Sequence, residues 1–264
     1  MYQPSLPIVS RERLDAIKHD HELRWYHNIR FEEFETPGLN NDVLWSRLAG
    51  VLQEHADLVS GKDVLEYGPA DGLWSMWLTQ LGARSLTATD YRDYTTYRHV
   101  VETFGLPVEY YPGLQATKAP RVIRRDFDLV VSFGVLYHMH DPLINLMMYH
   151  MYLRPNGVIF LETAAVQSTE HCLYYSPDGP ILPARANNLF APTTGVLDKI
   201  VGESLGCEID HSEFIPRPHN GSADFGRYIL VARKSHPARV SMYESVRRSL
   251  GFGVDSTPQS SRPR

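Results

Sequence analysis

Residues 64–72, VLEYGPADG, decide the fold of this chain. An apolar run leads into Gly68, and residues with helical spacing follow Gly72, so the stretch is typical of a strand, a tight turn and the start of a helix. Glycines at such a turn permit unusual backbone dihedrals and let a ligand approach without meeting a Cβ atom. The segment therefore predicts a ligand site outside the carboxyl ends of the strands of an open α/β sheet.

Outward from this turn, short apolar runs alternate with helical stretches. The predicted strands lie near 63–67, 85–90, 108–111, 127–133, 157–163, 207–212 and 227–233, and the predicted helices near 72–81, 93–104, 115–123, 141–153 and 193–205. Strand–helix alternation of this kind indicates a largely parallel sheet with helices on both faces. We therefore predict a doubly wound, Rossmann-like α/β fold with a mostly parallel seven-stranded sheet.

The remaining segments define the expected organisation. Residues 1–60 hold two predicted helices, over 10–24 and from about 41 onward, and form a helical cap before the main domain at 61–235. Residues 164–192 show little periodicity, and we interpret them as a lid inserted beside the site. Residues 236–264 form a partly disordered tail with a short amphipathic helix near 240–250.

Composition excludes several classes of protein. The 264 residues are 43% hydrophobic and 22% charged, which is ordinary globular usage with enough apolar material for a core. The net charge of −5 argues against binding nucleic acid mainly through phosphate charge. Two cysteines cannot build a disulfide framework, and neither a membrane-length apolar run nor a secretory leader is evident. We expect a cytoplasmic monomer or homodimer that binds no membrane.

The turn also indicates the class of ligand. A dinucleotide fingerprint would read GxGxxG, whereas this segment reads GxAxG with Glu66 two residues before the first glycine. A carboxylate there repels phosphate but suits a cationic methionine moiety. Asp90 lies 22 residues after Gly68, at the end of the second predicted strand, where a carboxylate can accept hydrogen bonds from ribose hydroxyls. The pattern favours a sulfonium nucleoside over a pyrophosphate.

On the strength of this turn and Asp90, residues 61–234 resemble the class I S-adenosylmethionine-dependent methyltransferases. The first motif is similar at Glu66, Gly68 and Gly72, with Ala70 for its middle glycine, and FDLVVSFGVLYHMHDP and LRPNGVIFLET resemble the segments around the fourth and fifth strands. The resemblance implies S-adenosyl-L-methionine as the cofactor. We expect its contacts at Glu66, Gly68, Ala70, Gly72, Asp90, Tyr91, Leu114, Gln115, Ser132 and Phe133.

A narrower resemblance is to the subgroup that contains the tRNA wobble-uridine carboxymethyltransferase. It rests on WYHNI and TPG before the domain, VLYH after the fourth strand, NNLFAPT after the insertion and GRYILVARK at the last strand. It implies carboxy-S-adenosylmethionine, with Tyr137 and Arg227 where that subgroup contacts the additional carboxylate. The lysine that the subgroup uses before the domain has no match, so we favour the ordinary cofactor.

Catalytic residues are expected directly after the fourth strand. His138 is the candidate general base, because an imidazole with an unperturbed pKa near 6.5 suits proton transfer at neutral pH. Tyr137 is the candidate contact to substrate or cofactor, and His140 is a weaker candidate base. Alternatively, His138 serves only the architecture of the loop. The spacing His138-x-His140-Asp141 has no further matched ligand, so we predict no metal site.

The substrate is expected between the cap and the lid. We assign its contacts to Trp25, Tyr26, His27, Tyr174, Tyr175, Asn188 and Arg227. Aromatic and amide side chains suit a neutral organic molecule better than a phosphate-rich polymer. Alternatively, the cap residues do not contact substrate and serve only to pack the cap against the sheet. The basic cluster of Arg121, Arg124 and Arg125 is interpreted as a solvated face rather than an RNA-binding patch.

Taken together, these features favour a methyltransferase that acts on a small organic molecule, in specialised metabolism. Two alternatives stay open. One is a tRNA-modifying alkyltransferase that uses the carboxylated cofactor. The other is a non-catalytic subunit that binds the nucleoside and serves regulation.

Overall fold

The computed structural model of the protein describes most of the chain. The residues described are 11–20, 22–31, 35–39, 42–123, 126–175, 188–217 and 224–252. Arg124 and Arg125 of the basic cluster, the middle of the predicted lid and the end of the predicted tail lie outside them. Within those ranges, no helix is long and apolar enough to cross a membrane.

The centre of the molecule is a seven-stranded sheet, as the sequence predicts. The strands of the described residues are β1 Asp63–Tyr67, β2 Ser85–Thr89, β3 Val108–Tyr111, β4 Phe127–Phe133, β5 Leu153–Val166, β6 Leu173–Tyr175, β7 Phe190–Pro192, β8 Cys207–Pro216 and β9 Phe225–Lys234. All but β6 and β7 form the central sheet, in the order β3-β2-β1-β4-β5-β9-β8. β1 to β5 run parallel, whereas β9 pairs antiparallel with both β5 and β8.

Helices cover both faces of this sheet. They are α1 Arg11–His19, α2 Asp42–Glu54, α3 Leu73–Gln80, α4 Thr95–Phe104, α5 Pro142–Tyr152, α6 Thr194–Asp198 and α7 Tyr243–Leu250. Short 3₁₀ helices lie at Ala56–Leu58, Ala116–Arg121 and Leu136–His138, and Lys199–Ser204 continues α6 as a π-helix. The doubly wound, mostly parallel Rossmann-like architecture is therefore confirmed.

Several predicted elements differ from the structure, and one of them is β8, which extends to Pro216 although the sequence predicts its end near 212. The helix expected over 115–123 is a short 3₁₀ segment that contains Pro120, which lacks the N–H donor that an α-helix needs. The helix expected over 10–24 ends at His19. The fifth strand extends to Val166, well past its predicted end at 163, because β9 continues to pair with it there.

The cap packs into the same core as the sheet. Ile17, Leu23 and Leu48 are buried in one apolar cluster with Trp74 of α3 and Val131 of β4. In the described residues between α1 and α2 the cap forms no helix, and a parallel bridge joins His27 to Leu39.

The ends of the predicted lid form a small antiparallel pair, β6 with β7. Tyr174 lies opposite Ala191, and Tyr175 lies opposite Phe190. Side chains alternate along a strand, so the two tyrosines face opposite ways. At the other end of the domain, α7 buries Val246 and Leu250, which confirms the amphipathic helix near 240–250.

Candidate active site

The turn after β1 brings its backbone close to the loop that follows β4. Gly68 has φ +71°, and a Cβ atom there would lie 2.5 Å from Cγ2 of Val135, so only glycine fits. Its N–H donates to the carbonyl of Thr89 at 2.9 Å, which fixes the turn against the end of β2. Ala70 is also left-handed, with φ 52°, where the resembled motif has its middle glycine. The turn keeps its shape at the cost of backbone strain at one alanine.

Asp90 lies beside this turn, at the carboxyl end of β2. It is buried, and its carboxylate accepts N–H bonds from Arg92, Ala70 and Tyr91. Burial nevertheless raises the pKa of the carboxyl group to about 6. The N–H of Leu114 donates to the carbonyl of Asp90 at 2.8 Å, so the residues predicted for the ribose and adenine are adjacent.

Replacing Asp90 with alanine is expected to weaken S-adenosylmethionine binding by about 1.5–3 kcal/mol, the range for a lost hydrogen bond to a charged group. Isothermal titration calorimetry measures this loss. Asp93→Ala is the matched control, because Asp93 is exposed and pairs only with Arg98 among the contacts described. A folded Asp90→Ala protein with unchanged affinity would remove the ribose assignment.

Glu66 is buried near the end of β1, just before this turn. The hydroxyl of Ser75 donates to its Oε2, whereas its Oε1 has no hydrogen-bond partner in the described part of the chain. Burial, together with the charges of Asp90 and Asp71, raises its pKa to about 8. A buried carboxyl oxygen without a partner is costly, and a cationic ligand group beside it would favour the ionised form of the carboxyl group. The residues at the turn therefore fit a nucleoside with a positively charged methionine end.

This raised pKa gives stability a definite dependence on pH. Between about pH 5 and pH 8 the unfolded chain loses the Glu66 proton while the folded chain keeps it, so the contribution of this group to stability falls as pH rises. We expect Glu66→Gln to unfold at a higher temperature than the wild type at about pH 9, and at a similar temperature at about pH 5. Thermal denaturation of the cofactor-free proteins measures the difference. If the difference in unfolding temperature between Glu66→Gln and the wild type does not grow with pH, the raised pKa of Glu66 is contradicted.

A second set of polar side chains lies past the end of β4. A Cβ atom on Gly134 would lie 3.7 Å from Arg227 Nη2, 3.8 Å from the Tyr137 hydroxyl and 4.0 Å from Glu162 Oε2. Arg227 donates to Glu162 through Nε at 2.5 Å and Nη2 at 2.8 Å, and its guanidinium lies 4.8 Å from the centre of the Tyr137 ring. Tyr26 joins them through a hydrogen bond with Tyr137. We call Tyr26, Tyr137, Glu162 and Arg227 the polar cluster.

The protonation states within the polar cluster follow from burial. The Tyr26 hydroxyl is enclosed although the residue as a whole is 45% exposed, and this burial, with neighbouring Tyr137, raises the pKa of the hydroxyl well above its usual value. Tyr26 therefore stays protonated and can act as a hydrogen-bond donor. Glu162 is buried and held by Arg227 in a two-bond ion pair, the strongest geometry for these groups. The cluster carries one positive and one negative charge.

The other predicted catalytic residues lie on the surface of the protein. His138 and His140 are exposed, and the His138 ring is 4.0 Å from the Tyr137 ring, centre to centre. Among the described residues, no group of three or more His, Cys, Asp or Glu side chains is arranged to hold a metal ion.

The side chains of several predicted cofactor contacts are engaged with other parts of the protein or exposed to solvent. The Ser132 hydroxyl donates to that of Tyr149 at 3.0 Å, and Phe133 packs against Trp74 and Phe160. Backbone groups of these two residues remain the candidates for the pocket. Tyr91 is 54% exposed beside the guanidinium of Arg92, and Gln115 is exposed.

The predicted substrate contacts separate into groups. Tyr26 reaches the polar cluster, whereas Trp25 packs against Phe31 and the His27 ring is buried between Asp71 and Trp45. Tyr174 packs against the small apolar cluster that contains Tyr137, while Tyr175 is exposed beside Phe190. Asn188 is buried. The N–H of the next residue, Leu189, donates to the carbonyl of Tyr137 at 2.9 Å.

Two residues of the site were not predicted. Glu162 appears in the sequence as an acid inside an apolar strand, which is a usable signal for a buried ion pair. Asp71 lies within the turn motif itself, and its carboxylate binds residues of the cap.

Comparison with known proteins is consistent with this geometry. Residues 43–195 match the methyltransferase domain family, more than half of the chain. The chain belongs to this family. It is a class I S-adenosylmethionine-dependent methyltransferase, and the carboxylates at Glu66 and Asp90 fit that cofactor.

Curated relatives of this methyltransferase include tRNA U34 carboxymethyltransferases. That of Chromohalobacter salexigens is 29% identical over 60% of this chain and 46% of its own length. That of Methylococcus capsulatus is 31% identical over 55% of this chain and 46% of its own. The chain thus spans about half the length of the curated relatives it matches.

Solved structures share the fold at lower identity. The 1,6-didemethyltoxoflavin-N1-methyltransferase of Burkholderia thailandensis has a TM-score of 0.54 at 18% identity, covering 87% of this chain and 92% of its own. The N-terminal domain of EvdMO1, solved with SAH and D-fucose, has a TM-score of 0.62 at 19% identity, covering 85% and 96%.

Proposed function

We propose that this methyltransferase transfers a methyl group from S-adenosylmethionine to a small organic acceptor bound at the polar cluster. The observation that carries the proposal is the buried two-bond pair between Arg227 and Glu162. A buried guanidinium needs an anionic partner, and here the protein supplies it. The cluster is therefore neutral without any anion from the cofactor or the acceptor.

Charge balance separates this proposal from its main rival. An additional carboxylate on the cofactor would face Glu162 as well as Arg227, and the cluster would then carry a net negative charge. A neutral acceptor adds no charge. Two tyrosine hydroxyls, from Tyr26 and Tyr137, are available to hold an acceptor hydroxyl or amine in position.

The bound cofactor supplies an electrophilic methyl group on a sulfonium. The protein must hold the acceptor in line with it and remove a proton where the acceptor carries one. Tyr26 stays protonated, and Arg227 engages Glu162, so neither is suited to accept that proton. We assign this role to His138, whose exposed ring lies beside Tyr137 and can pass the proton to solvent.

A second candidate is carboxymethyl transfer to a tRNA uridine. The names of the curated relatives favour it, together with the positions of Tyr137 and Arg227 that the resemblance implies. The net charge of −5 weighs against it.

The experiment is a turnover assay with S-adenosylmethionine and a panel of neutral hydroxyl- and amine-bearing aromatic and sugar acceptors. Methylation of a panel member supports the proposal and also excludes a purely regulatory subunit. A parallel titration of tRNA binding against salt tests the rival, since phosphate contacts make affinity fall steeply with salt. Tight, salt-sensitive tRNA binding without turnover of any small acceptor would favour the rival.

A further inference from the structure

Asp71 connects the cofactor turn to the cap. It lies between Ala70 and Gly72 and is 1% exposed. Its Oδ2 accepts the backbone N–H groups of Tyr26 at 2.9 Å and His27 at 2.7 Å, and its Oδ1 lies 2.5 Å from Nδ1 of His27. All three partner groups belong to residues 24–28, which we call the strap.

The strap is held on both sides of this carboxylate. Arg24 exchanges two hydrogen bonds with the Thr96 hydroxyl of α4, at 2.9 and 3.0 Å. Leu39 donates to the carbonyl of Tyr26 and accepts from the N–H of Asn28, both at 2.9 Å. Asp71 accepts the two amides in the middle, so it sets how the strap crosses the domain.

The position of Asp71 has an electrostatic cost. Its charge lies near the carboxyl groups of Asp90 and Glu66 and contributes to the raised pKa of Glu66. Its three described bonds all go to the strap and none to the turn on which it lies. A third buried acid beside two others is retained at a cost in free energy, which points to a role in ordering the strap.

We propose that Asp71 is a positioning residue: through the strap, it places the Tyr26 hydroxyl at the polar cluster and so orients the acceptor. The inference rests on the proposed function in taking that cluster as the acceptor site. Because Asp71 lies on the cofactor turn, one carboxylate links the cofactor site to the acceptor site.

The first test needs no acceptor. Hydrogen exchange in the full chain is compared among the wild type, Asp71→Ala and Asp71→Asn. We expect the amides of Tyr26 and His27 to exchange about 100-fold faster in Asp71→Ala and near the wild-type rate in Asp71→Asn, whose side-chain oxygen still accepts both. The control is Asp128→Asn, since Asp128 also accepts a backbone N–H, from Asp63, at the amino ends of the central strands β4 and β1.

The second test separates positioning from simple structural support. With an acceptor from the panel, Asp71→Ala is expected to lower kcat/KM by about 100-fold, the scale for a misplaced contact. In a Tyr26→Phe background the same change should cost less than about threefold, because the two losses share one contact. Affinity for S-adenosylhomocysteine should stay within about threefold of the wild type, as measured by calorimetry.

Strap amides in Asp71→Ala that exchange as slowly as in the wild type would overturn the inference, whatever the acceptor. The inference would also be overturned if the losses in kcat/KM from Asp71→Ala and Tyr26→Phe were additive in the double variant. If the wild type binds S-adenosylhomocysteine but methylates no panel member, the proposed function fails, while the exchange experiment still decides whether Asp71 holds the strap.

Discussion

His138→Ala is expected to lower the turnover number by about 10²–10⁴-fold, the usual contribution of a positioned general base. The ring of His138 is exposed and lies beside Tyr137, so we expect its removal to disturb the fold little. Affinity for S-adenosylmethionine should stay close to that of the wild type. Single-turnover kinetics at saturating cofactor measures the effect.

His140→Ala is the matched control for this prediction. It lies two residues further along the same loop and is also exposed, so a nonspecific effect of removing an imidazole there would appear in both variants. A His138→Ala protein that turns over normally per folded molecule but melts at a lower temperature would instead assign His138 to the architecture of the loop.

Glu162→Gln is expected to reduce the free energy of unfolding by about 3–5 kcal/mol, because it leaves the Arg227 guanidinium buried without its counter-charge. Combining Glu162→Leu with Arg227→Met removes both charges and should restore most of that stability, since apolar replacement of a buried pair is often close to neutral. Urea denaturation of the three proteins measures the differences.

Asp210→Asn is the control for that series. Asp210 pairs with Arg233, and both side chains are partly exposed, so its loss should cost less than about 1 kcal/mol. If Glu162→Gln costs no more than Asp210→Asn, the Arg227–Glu162 pair is not the buried, charge-compensated unit on which the proposed function depends.

The sequence predicts the sheet well because its signals are local. The apolar runs that form β1, β3 and β4 end at turn residues, and their predicted bounds match the structure. The end of β5 was predicted too early because its last residues are paired by β9, about 60 residues later in the chain. The helix near 115–123 was predicted from spacing alone, and Pro120 reduced it to a 3₁₀ segment.

The same reasoning explains which parts of the site could be predicted. Gly68 and Asp90 follow strand ends and Glu66 lies just before one, in a recognisable spacing, so the sequence indicates their place directly. The pair of Glu162 with Arg227 spans 65 positions, and the bonds from Asp71 to the strap span 44 and 45. Contacts this distant leave no periodic trace in the sequence. That the side chains of Tyr174 and Tyr175 face opposite ways likewise follows from the pairing of β6 with β7.

The measurement that tests the central claim most directly is competitive binding of S-adenosylmethionine and carboxy-S-adenosylmethionine to the wild type and to Arg227→Met. We expect the wild type to bind the ordinary cofactor at least as tightly as the carboxylated one, because Glu162 already balances the charge of Arg227. A wild-type preference of more than about tenfold, or 1.4 kcal/mol, for the carboxylated cofactor that disappears in Arg227→Met would contradict it.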